Sequence, residues 1–89
     1  MKAVVTVVGK DQVGIIAAVC TQLASFNVNV LDISQTVMQG YFTMMMVVDV
    51  SAASQPLAEL AKQMEDRGRE MNLSIRLQRE DIFEAMHRV

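Results

Sequence analysis

The segment Gly9-Lys10-Asp11-Gln12-Val13-Gly14-Ile15 holds the groups with which this chain could do chemistry: a cation, a carboxylate, an amide and two glycines. It joins a β-branched run at residues 4–8, which reads as a strand, to the spacing Ile16, Val19, Cys20, Leu23, which reads as one face of a helix. Gly9 is free to take a positive φ. Asp11 is placed to cap the helix by accepting from the N–H of Val13 or Gly14, a contact of about 1 kcal/mol, and Gly14 lets another group approach the first turn. The first N–H groups of a helix have no internal partner, and the peptide dipoles add roughly half a positive charge there, so such a junction receives a small anion. A free amino acid would suit it. Its carboxylate can take the N–H groups of residues 12–15, its ammonium can face Asp11, and Asn27 and Asn29 can complete a polar shell. A capped helix start without a ligand is the plainer alternative, and Asn27 by itself reads as a turn residue before a strand.

Other chemistries lack their residues. The loop has neither G-x-G-x-x-G nor a following Gly-Lys-Ser/Thr, so it is no nucleotide cradle. His87 stands on a terminal helix with no serine or cysteine nucleophile beside it, and Cys20 falls on an apolar helix face as a core thiol, in keeping with a reducing cytoplasm. Met44, Met45 and Met46 point alternately to opposite sides of a strand and cannot converge on one metal ion. The expectation is a protein without catalysis, cofactor or metal.

Net charge is −2 with Lys and Arg scattered, which argues against nucleic acid. There is no apolar run of membrane-spanning length and no signal-peptide pattern, which argues against a membrane. Apolar residues make up 52% and charged residues 20%, below the usual quarter, so a domain this small has more apolar surface than one core can hide. A homodimer or higher oligomer is predicted.

The elements that must position the loop follow in order. Val28 and Val30 alternate, then the apolar positions shift to Leu31, Ile33 and Val37, predicting a bulge near Val30-Leu31. Gln39-Gly40 supplies a turn into a nearly continuous apolar strand at residues 41–50, which should be central and covered on both faces. Ser54 or Gln55 caps a second helix with an early Pro56, carrying Leu57, Leu60, Ala61, Met64 and Met71 inward until Gly68 loosens or ends it. Leu73, Ile75 and Leu77 alternate in a last strand, and residues 80–89 form a short amphipathic helix with Ile82, Phe83, Met86 and Val89 on one face. The order is β-α-β-β-α-β. It predicts an α+β, ferredoxin-like sandwich: a four-stranded antiparallel sheet with two helices on one face, plus the C-terminal helix.

This topology serves many functions. An RNA-binding sheet would need aromatics on its first strand, a metal carrier Cys-x-x-Cys, and an acylphosphatase an arginine in the first loop; none is present. Val7-Val8-Gly9-Lys10-Asp11-Gln12-Val13-Gly14-Ile15-Ile16-Ala17 resembles the opening signature of ACT domains, and Phe26-Asn27-Val28-Asn29-Val30-Leu31-Asp32-Ile33-Ser34 is similar to the segment that begins their second strand. Gln12 and Val13 stand where arginine or proline is usual. The resemblance covers residues 1–79, an ACT-like regulatory domain. The tail, residues 80–89, resembles that of the small stand-alone ACT proteins of bacteria and archaea. It implies a non-enzymatic regulator that binds a small effector, an amino acid, where the first loop of one subunit meets the second strand of another. Candidate ligand contacts are Gly9, Lys10, Asp11, Gln12, Val13, Gly14, Ile15, Asn27 and Asn29. A client protein would be a further partner, and a constitutive assembly module without a ligand is the alternative.

Overall fold

Alternating burial along the strands fixes which side of the sheet carries the core. The structure, a computed structural model, describes residues 1–86. Its elements are β1 (Lys2–Lys10), α1 (Ile15–Ser25), β2 (Asn29–Met38), β3 (Tyr41–Asp49), α2 (Leu57–Glu70), β4 (Leu73–Arg79) and α3 (Glu80–Met86). The four strands form one antiparallel sheet in the order β2-β3-β1-β4, the ferredoxin-like arrangement. Val5 and Val7 of β1, Phe42, Met44, Met46 and Val48 of β3, and Leu73, Ile75 and Leu77 of β4 are all buried on one side. Against them pack Ile15, Val19 and Leu23 of α1 and Leu60 and Met64 of α2. Cys20 is half-buried against this core as a free thiol.

Several local expectations are corrected. Gly9 is not a turn: it continues β1, paired with Phe42 and Leu73, and its φ is not positive. The buried stripe of α1 begins at Ile15, leaving Ile16 37% exposed. Neither Ser54 nor Gln55 caps α2. Pro56 is its N-cap without a side-chain bond, because the Ser54 hydroxyl donates to the Phe26 carbonyl and Gln55 Oε1 accepts from Gln63 Nε2. Gly68 does not end α2, which runs on to Glu70; Asn72, at φ 58, takes the left-handed conformation that stops it.

The hairpin reads as predicted. Gln39 and Gly40 both have positive φ, 50° and 82°, as a two-residue turn between right-twisted strands requires. The register shifts between Val30 and Asp32, placing the bulge at Leu31. β3 is central, but its second face is covered only in part among the described residues: Tyr41 and Met45 remain 57% and 41% exposed. α3 crosses that face, anchored at its start by the Arg79 fork on Asp81 at 3.1 and 2.5 Å. The guanidinium holds the Asp81 carboxyl below its usual range. Phe83 turns toward the sheet while Ile82 stays 46% exposed, so the two do not share one face. The predicted roles of His87 and Val89 lie outside the described residues.

Candidate functional site

The loop after β1 is held at two points. Asp11 N donates to the Gly40 carbonyl at 2.8 Å, fastening the loop to the β2–β3 turn. Gln12 Nε2 donates to the Met71 carbonyl at 2.9 Å, fastening it to the end of α2. Gly14 then takes φ 89° as the residue before α1, a conformation in which a side chain costs about 1–2 kcal/mol. Asp11 is therefore not the cap: α1 starts one residue after Gly14 with no side-chain cap, and the Asp11 carboxylate has no partner among the described residues. The first helical bond runs from Ala18 N to Gly14 O at 2.9 Å. The donors open to a ligand are thus the N–H groups of Ile15, Ile16 and Ala17, further along the chain than the expected residues 12–15.

These donors face a hollow of about 270 Å³ lined by Asp11, Gln12, Gly14, Ile15, Ile16, Ala17 and Phe42. Four of the nine candidate residues, Asp11, Gln12, Gly14 and Ile15, come together there. A Cβ built at Gly14 meets no atom within 4 Å, so the space beside that glycine is open. Ile16, Ala17 and Phe42 also belong to the lining, and nothing in the sequence separates them from ordinary core positions. Gly9 lies in the strand, Lys10 pairs with Tyr41 at the sheet's end, and Val13 projects fully into solvent.

Asn27 and Asn29 sit at the other end of α1, about 16 Å away by the rise of its 11 residues. Asn27 is a helix-stop residue: φ is 60°, its N–H bonds to Ala24 O, that of Val28 to Leu23 O, and its Nδ2 donates to Ala52 O at 2.8 Å. Asn27→Ala should therefore lower stability by about 1–2 kcal/mol in urea unfolding, through strain and one lost hydrogen bond. Asn27→Gly should recover most of the strain contribution; equal losses in the two variants would refute this placement. Asn29 opens β2, exposed and opposite Asp49.

β2 carries the other conspicuous feature. Nine of its ten residues are exposed, and its outer backbone edge pairs with no strand among the described residues. Ile33 and Val37 pair with Met46 and Phe42, so they face the helical side of the sheet, yet they lie beyond α1 and are 42% and 55% exposed. No described helix is long and apolar enough to cross a membrane, and no cluster of metal-ligating side chains occurs among the described residues.

Residues 2–78 match the ACT domain family. A UPF0237 protein from Bifidobacterium longum is 54% identical over 88 residues, covering 99% of this chain and 98% of its own. One from the archaeon Methanosarcina acetivorans is 43% identical over 86 residues, 97% and 94% of the two chains. An ACT domain protein from Streptococcus pneumoniae superposes with a TM-score of 0.82 at 47% identity, over 98% of each chain.

Proposed function

This chain belongs to the ACT domain family, whose members are regulatory ligand-binding domains, and from that premise we propose that it is a non-enzymatic, cytoplasmic sensor of a small effector, an amino acid, working as a homodimer or higher oligomer. The observation that carries this reading is the division of the candidate site. The N–H groups and the Asp11 carboxylate lie at one end of α1 and Asn29 at the other, so a single chain holds half a site at each end. Antiparallel pairing of β2 with β2 of a second copy would set Asn29 of the partner subunit beside Met38, at the turn whose Gly40 carbonyl holds the loop. A two-fold axis then makes two equal sites. The effector carboxylate takes the helix N–H groups and its ammonium faces Asp11.

The test is a thermal-shift screen of the twenty amino acids on dialysed, refolded protein, followed by calorimetry. For the amino acid that stabilises, Asp11→Asn should weaken binding about 10- to 100-fold, the worth of a charged hydrogen bond, and change stability by less than ~0.5 kcal/mol because Asp11 caps nothing. Gly14→Val should abolish binding by filling the open space and should cost about 1–2 kcal/mol of stability. Unaltered affinity in both variants would remove the loop from the site. No stabilisation by any amino acid, in a protein that still dimerises, would favour the constitutive assembly module.

A further inference from the structure

A second hollow lies on the sheet face turned away from α1 and α2. Val4 pairs with Val47 and Val47 with Asp32, while Met45 pairs with Ser34, so these five side chains leave the sheet on the same side. α3 crosses above them and sets Phe83 over the gap, leaving a cavity of about 180 Å³. Val4, Met45, Val47 and Phe83 supply apolar walls; Asp32 and Ser34, on the exposed edge strand, supply a polar mouth. The volume is about that of six waters, too small for a peptide segment and suited to one side-chain-sized group.

The polar mouth decides what that group carries. Among the described residues, Asp32 is the cavity's only charged lining residue. Its Oδ1 accepts the neighbouring Ile33 N–H at 3.0 Å, and no cation among the described residues pairs with it. A carboxylate has about four acceptor positions, so most of its capacity is unused, and the Ser34 hydroxyl lies two residues along the same face. We propose that this cavity binds a small primary ammonium with a branched aliphatic or aromatic tail. The tail sits between Phe83 and Met45, whose thioether packs well against a ring, and the ammonium donates to Asp32 and Ser34. A carboxylate-bearing ligand finds no cation among the described lining residues and meets a like charge. The site thus differs in place and in ligand class from the helix N-terminal hollow, and it does not depend on the reading of that hollow.

The test is a two-dimensional NMR titration of the full-length protein with 3-methylbutylammonium, using 3-methylbutanoate as the same tail with reversed charge. The ammonium should give saturable shifts at the Asp32 and Ser34 amides, the Met45 methyl and the Phe83 ring; the carboxylate should give none that saturate. Asp32→Asn, a nearly isosteric change at an exposed position, should weaken ammonium binding at least tenfold with an unchanged melting temperature. Gly14→Val should leave it intact, which separates this site from the loop. Equal binding of the two probes, equal affinity in Asp32→Asn, or no saturable shift at millimolar ammonium would each overturn the proposal.

Discussion

Gly68→Val is expected to lower the melting temperature by roughly 12 °C or more, the equivalent of about 3 kcal/mol in a domain of this size. Leu60, Met64 and Gly68 form the buried stripe of α2, spaced four residues apart, and at Gly68 the helix comes down onto β4. A Cβ there would sit 2.8 Å from the Leu73 carbonyl oxygen and 2.9 Å from Ile75 Cγ1. The carbonyl is backbone within a strand and cannot swing aside. Gly68→Ala sets two effects against each other, since alanine gains about 1 kcal/mol of helix propensity while overpacking costs about 1–3. Overpacking wins because the closest atom is main chain, and a net loss of up to about 2 kcal/mol follows. Valine adds two methyls and a β-branched penalty to the same clash. Unfolding in urea measures both variants; an alanine variant more stable than wild type would mean that α2 lifts off the sheet without cost.

Gly68 also shows where the sequence could be read and where it could not. Strand and helix periods were visible because each element buries one face: Leu73, Ile75 and Leu77 alternate, and Leu60 and Met64 recur at helical spacing. The bulge at Leu31 was legible because a one-residue slip moves the apolar set to the opposite face. A glycine carries no such mark. Gly9, Gly14 and Gly68 serve as strand residue, positive-φ helix start and close-approach point, and only the neighbours brought by the fold distinguish them. The loop fared likewise. Its polar residues and position before a helix are legible, but Asp11 does not cap, because its amide is drawn to Gly40, 29 positions along the chain, which delays the helix start to Ile15. Gln12 fastens to Met71, still further away. The cavity beneath Phe83 left no trace in the sequence, since it depends on where α3 crosses the sheet.

The double variant Ile33→Lys, Val37→Lys should turn the oligomer into a folded monomer. In sedimentation, wild type is expected at twice the 9.9 kDa chain mass or above, and the variant at the chain mass. Both side chains face the helical side of β2 but lie outside the cover of α1, at 42% and 55% exposure, so lysine there costs the isolated chain no more than about 0.5 kcal/mol per site. A second copy changes that. Pairing along β2 would bury both positions beside their symmetry mates, and the dimer would have to hide four ammonium groups among apolar neighbours. Charged side chains on an exposed strand are also the means by which natural sheets prevent edge pairing. A weakening of at least 100-fold, about 2.7 kcal/mol, is the minimum expected. Amino-acid binding should fall with it, because the loop would lose Asn29 of the partner subunit. A variant that still sediments as an oligomer would place the interface elsewhere and dissolve the composite site. One that is monomeric yet binds its amino acid as tightly as wild type would keep the interface and confine the site to residues 11–17 and Phe42 of a single chain.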